Sequence, residues 1–186
     1  MSGPLRAPPS SRKETPLTIL FAYDGSDSAD AALRAAADIL DTAGTDAVVL
    51  SVWEPLLVEA VRAEKFGWLA VPTDVAKIDE SSEAEAQRVA EHGRELAEEL
   101  RFKARPRALA DERNVADAIV ATADELEVDL IVVGARGLAG VRAFLGSVSN
   151  HVIQHAHSPV LVIPPNGDAT TQETLNEAAT TRSAPA

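Results

Sequence analysis

Short apolar runs alternate with segments of helical period along most of this chain, and that alternation leaves few folds open. The runs are Leu17 to Tyr23, Ala47 to Trp53, Pro106 to Ala110, Val128 to Gly134 and Pro159 to Ile163. A continuous apolar run of this length, closed by glycine, proline or polar residues, reads as a strand buried on both faces. Between the runs lie helical patterns. Asp27 to Thr42 carries Ala32, Leu33, Ala36, Ile39 and Leu40 on one face, with Gly44 just past its end. Asp79 to Phe102 carries Ala86, Val89, Ala90, Leu96, Ala97 and Leu100. Asn114 reads as an N-cap, followed by Val115, Ile119, Ala123 and Leu126 along one face. A last helix is expected from Ser147 to His155. Strands alternating with helices imply a parallel sheet covered on both faces, and right-handed crossovers make it doubly wound. The expected class is α/β, a doubly wound five-strand parallel sheet with helices on both faces.

Pattern and charge bound the rest. The chain has 186 residues, enough for one domain with a proper core. Residues 1–15 and 166–186 lack apolar periodicity and read as mobile tails around a domain at 16–165. Residues 54–79 have no clear pattern and are expected to hold a short helix near Leu56 to Lys65 or to act as a lid. The formal net charge is -12, a field that repels phosphate polyanions, so nucleic acid is not an expected partner. A small nucleotide can still bind where local dipoles outweigh that field. No apolar run approaches the roughly 18 residues that suggest a membrane span. There is no cysteine, hence no disulfide framework, thiolate metal site or cysteine nucleophile. The first residues lack the apolar core of a secretory signal, and the expected location is cytoplasmic.

In doubly wound sheets, ligands bind beyond the carboxyl ends of the strands, where the winding reverses. Two strands end in unusual loops: the first at "YDGSDS" and the fourth at "GARG". If both loops serve one site, the first and fourth strands are neighbours, which gives the order 3-2-1-4-5. Gly134 lets the chain turn at the strand end, and Gly137 allows close backbone approach. Gly146 and Ser147 open a helix whose free N–H groups favour an anion, and Ser147 is expected to cap it. Taken together these residues read as a cradle for a phosphorylated ligand. Neither a P-loop lysine motif nor a G-x-G-x-x-G turn after the first strand is present.

Gly134-x2-Gly137 followed by Gly146-Ser147 resembles the ATP-binding signature of the universal stress protein family, G-x2-G-x9-G-[ST]. "ILFAYDGSDSADAAL", Ile19 to Leu33, is similar to that family's opening strand, aspartate and helix. The resemblance implies an adenine nucleotide, ATP (or AMP or ADP); if Mg²⁺ enters with it, the phosphates supply most of the contacts. By position it implies that Asp24 bonds the ribose, and that Ala22, Tyr23 and Val52 line the adenine pocket. Val133, Gly134, Arg136 and Gly137 would frame ribose and phosphates, and Gly146, Ser147, Val148 and Ser149 would hold the phosphates. It also implies a homodimer joined through the last strand, Pro159 to Ile163, whose exposed apolar edge invites pairing. The chain departs from the signature once: eight residues, Leu138 to Leu145, separate Gly137 from Gly146.

Other chemistries are weaker. "DGSDS" resembles the S-G-G-x-D-S loop of ATP pyrophosphatases, but Asp24 replaces its leading serine and Ser26 its second glycine. That reading, an adenylating enzyme, leaves the second glycine cluster unexplained. His151, His155 and His157 suggest a metal cluster, yet no cysteine or carboxylate is near them in sequence to complete one, so a partly exposed helix face is the simpler reading. "LGSVS" is not a nucleophile elbow. Arg136 and Arg142 bring positive charge to the glycine arc. The expected function is an ATP-binding, dimeric stress-response regulator, at most a slow ATPase. The alternative is a dimeric interaction module of the same fold that binds no nucleotide.

Overall fold

The computed structural model describes residues 17–55, 75–111, 114–135 and 146–164. Arg136, Gly137, the arc Leu138 to Leu145, the segment 56–74 and both expected tails lie outside the described residues. The elements run in the order β1 (Thr18–Ala22), α1 (Asp27–Ile39), β2 (Asp46–Trp53), α2 (Val75–Glu99), β3 (Lys103–Ala110), α3 (Val115–Glu125), β4 (Leu130–Gly134), α4 (Ser147–His155) and β5 (Val160–Ile163).

The five strands form one sheet in the order β3-β2-β1-β4-β5, with every neighbouring pair parallel. This is the expected topology. Its cause is visible in β1, where successive side chains serve opposite layers. Ile19, Phe21 and Tyr23 pack with Leu33 and Ala36 of α1 and Leu96 and Ala97 of α2. Leu20 packs on the other face with Ile119 and Ala123 of α3 and Val152 of α4. A strand covered on both sides has no polar face to offer, and so it reads as a continuous apolar run.

Element ends differ from expectation where tertiary contacts intervene. Helix α1 stops at Ile39, because Leu40 turns extended, and Gly44 serves the turn into β2 with a φ of 81°. Strand β3 begins at Lys103 rather than Pro106. It is one of the sheet's two outer strands, so its charged residues Lys103 and Arg105 stay exposed and mask the strand pattern. Helix α2 starts at Val75, ahead of the expected Asp79. Val128 belongs to the close of α3, its N–H bonding Ala123 O, so β4 starts at Leu130.

Candidate functional site

The crevice opens where β1 and β4 part. Their pairing ends at Phe21 with Val132, before either strand ends. Beyond it, β1 stays with β2, through Tyr23 N–H to Leu50 O at 2.9 Å. Strand β4 stays with β5, through Ala135 N–H to Ile163 O at 2.7 Å. The chain leaves β1 for α1 on one face of the sheet and leaves β4 for α4 on the other. This is the topological switch point that such folds use for ligands.

On the β1 side, Asp24, Gly25 and Ser26 form a tight turn. Gly25 takes a φ of 74°, which a side chain would strain. Asp24 Oδ1 accepts from Ser26 N–H at 3.1 Å and from Ser26 Oγ at 2.6 Å, which holds the exposed carboxylate over the turn that follows β1. Ser26 in turn caps α1, its Oγ accepting from Ala29 N–H. Ala22 and Val52 are half-buried on the α3 and α4 face, in one apolar cluster with buried Val133. The ring of Tyr23, expected beside Ala22, is on the opposite face. It is 3% exposed, packs among α1 and α2, and donates its hydroxyl to Asp30. Burial first, and then that bond, push its phenol well above the ordinary tyrosine range.

On the β4 side, Gly134 lies close against α1. A Cβ there would lie 3.2 Å from Ser28 Oγ in the first turn of α1. Helix α4 begins as expected at Ser147, but its cap is Gly146, not Ser147, because Gly146 is the last extended residue (φ -59°, ψ 155°). Among the described residues no side chain bonds the amides of its first turn, and no acidic residue lies in that turn. Helices α1 and α3 differ: Ser26 and Asn114 cap them, and Asp27, Asp30 and Asp117 lie in their first turns. By its dipole and its main-chain N–H groups, the α4 start favours an anion. Ser147 and Val148 are exposed, whereas Ser149 is buried and donates Oγ to Gly134 O at 2.8 Å.

Two contributors to this region carried no sequence signal strong enough to single them out. Leu109 is the register partner of Val52 and extends the same apolar surface, followed by Val115 at the start of α3. Strand alternation combined with the strand order finds Leu109. Ser28 is found only through the approach of α1 to β4. The histidines are each engaged: His151 Nε2 lies 2.7 Å from Asp117 Oδ1, His155 Nδ1 2.9 Å from His151 O, and His157 Nδ1 3.0 Å from Asp124 Oδ2. Among the described residues no group of histidines and carboxylates is arranged to hold a metal ion, and no helix is long and apolar enough to cross a membrane.

This architecture has relatives. A family model described as the universal stress protein family matches residues 17–164. A universal stress protein of Thermus aquaticus, encoded in the QAH/OAS sulfhydrylase 3' region, is 33% identical over 147 residues, covering 78% of this chain and 97% of that protein. Two solved structures share the fold. One is an Arabidopsis thaliana universal stress protein family protein with AMP bound, at a TM-score of 0.59 and 20% identity, covering 83% of this chain and 95% of that one. The other is the Archaeoglobus fulgidus universal stress protein in complex with dAMP, at a TM-score of 0.52 and 23% identity, covering 80% of this chain and 96% of that one. With the switch point, the strand order and the match across the folded strands in agreement, the chain belongs to the universal stress protein family.

Proposed function

We propose that this chain is a regulatory protein that binds an adenine nucleotide, ATP among them, between the ends of β1 and β4. The observation that carries the proposal is the uncapped, acid-free start of α4 beside the switch point, in a family with AMP-bound and dAMP-bound members. The residues present fit such a ligand. Ala22, Val52 and Leu109 offer an apolar seat for a base, Asp24 an acceptor for ribose hydroxyls, and the Gly146, Ser147, Val148 and Ser149 amides donors for phosphate. Arg136 and Gly137 are assigned to the same site by their place in the signature. Mg²⁺, when it enters, rides mainly on the phosphates. Turnover is expected to be slow at most.

Titration with ATP, AMP and cyclic AMP tests this, read by calorimetry and thermal shift. A rise in Tm with saturable heat is expected, and Asp24→Ala should weaken binding about tenfold, the loss of one charge-assisted hydrogen bond. Absence of both signals at millimolar nucleotide would sink the proposal and leave the non-binding dimeric module standing.

Dimerisation belongs to the same proposal, and the two sheet edges support it by contrast. The amides of Lys103 and Asp111 bond β2, so alternation turns residue 106 outward, and Pro106 brings no N–H to the outer edge. Lys103, Arg105 and Arg107 add charge there. On β5, the Pro159 and Ile163 carbonyls bond β4, which turns Val160 and Val162 outward. The strand itself, Val160–Ile163, carries no charge and no proline. Antiparallel pairing about Leu161 would join the sheets of two copies.

A further inference from the structure

Ser149 sits where the β1–β4 ladder fails. The Ile131 and Ala135 amides bond β5, so alternation along β4 turns the Gly134 carbonyl toward β1. Strand β1 has already departed there, since the last paired residues are Phe21 and Val132. A carbonyl left unpaired beneath the first turns of α1 and α4 would destabilise the strand end. The Ser149 hydroxyl, in a residue 3% exposed, meets it at 2.8 Å. The opposite end of the same helical turn is tied down as well. Asn150 N–H closes the turn onto Gly146 O at 2.9 Å, and Val152 is fully buried in the core beneath.

We infer that Ser149 is a positioning residue: its hydroxyl pins the first turn of α4 to the end of β4 and so aims the Gly146, Ser147 and Val148 amides over the crevice. This rests on the nucleotide-binding proposal for its consequence, though not for the pin itself. The hydroxyl is committed to Gly134, so what Ser149 offers a phosphate is its main-chain amide. The start of α4 is then held by this bond and by the seat of Val152.

Ser149→Thr and Ser149→Val are the decisive pair, because they share a shape and differ in the hydroxyl. Two readouts are taken on each full-length variant. One is hydrogen-exchange protection of the Asn150 amide, compared with amides in the middle of α1 and α3. The other is the Kd for AMP and ATP. The threonine variant should keep wild-type protection and bind within about threefold of wild type. The valine variant should lose Asn150 protection at least tenfold while α1 and α3 keep theirs, and bind about tenfold more weakly, the effect expected of one lost hydrogen bond. Equal behaviour of the two variants, whether both intact or both impaired, overturns the assignment. If wild-type protein binds no nucleotide, the functional proposal fails alone, because Asn150 protection still decides the role of Ser149.

Discussion

Gly93 illustrates how much a single residue can report once its neighbours are known. It lies within α2, where glycine costs roughly 1 kcal/mol of helix propensity relative to alanine. The reason is close approach: an added Cβ would lie 2.7 Å from Val49 Cγ1 and 2.8 Å from Tyr23 Cδ1. Gly93→Ala should therefore destabilise the protein by about 1–2 kcal/mol, overpacking outweighing propensity. A urea melt checks it, and a stabilised variant would show that α2 has room to move. Tyr23, the chain's one tyrosine, gives a second test. Its phenol is raised by burial and by the bond to Asp30. A raised value in the folded state stabilises the fold fully below the ordinary tyrosine value of 10.0, and this is lost as pH rises through the folded value. Phenolate absorbance and far-ultraviolet circular dichroism should change together above pH 10, with the ring ionising as the fold opens. A midpoint near 10 in a protein still folded would contradict the buried bond.

At the scale of elements, the joint between α3 and α4 is a chain of polar groups. Asn114 caps α3 by accepting from Asp117 N–H at 2.8 Å, and its Nδ2 donates to the Asp117 carboxylate. Asp117 in turn meets His151 of α4. Asparagine and aspartate are ordinarily equal as N-caps. Here they should differ, since a second carboxylate facing Asp117 repels where the amide donates. Asn114→Ala should cost about 1 kcal/mol, and Asn114→Asp should do no better at neutral pH. Thermal melts of the two variants decide this, an unperturbed aspartate variant being the contrary result. The cap itself was legible as a motif, asparagine before an apolar face. Its coupling to a histidine on another helix was not, because 34 positions separate Asp117 from His151 and only packing brings them together.

The whole molecule has two unlike edges. Strand β3 carries Pro106 and alternating cations, and β5 carries neither. Val162→Pro removes an outward N–H without touching a bond to β4, so it should convert a dimer to a monomer with little change in the midpoint of thermal unfolding. Light scattering after size exclusion reads the mass. A variant that stays dimeric, or a wild-type protein that is monomeric at micromolar concentration, counts against pairing through β5.

Strand number, parallel direction and the order 3-2-1-4-5 follow from the sequence by itself. Doubly buried strands must be continuous apolar runs, crossovers have one hand, and two odd loops that serve one site require neighbouring strands. The place of the candidate site followed from the same facts. What only the tertiary structure decided is how each side chain there is used. Tyr23 faces the far layer, Gly134 makes room for Ser28, Gly146 rather than Ser147 ends the extended chain, and Ser149 satisfies a carbonyl that a departing strand has abandoned. Periodicity specifies which faces are buried, because burial is a property of a whole element. A hydrogen bond or a close approach depends on atoms from segments far apart in the chain, and these meet only when the sheet and its helices have packed.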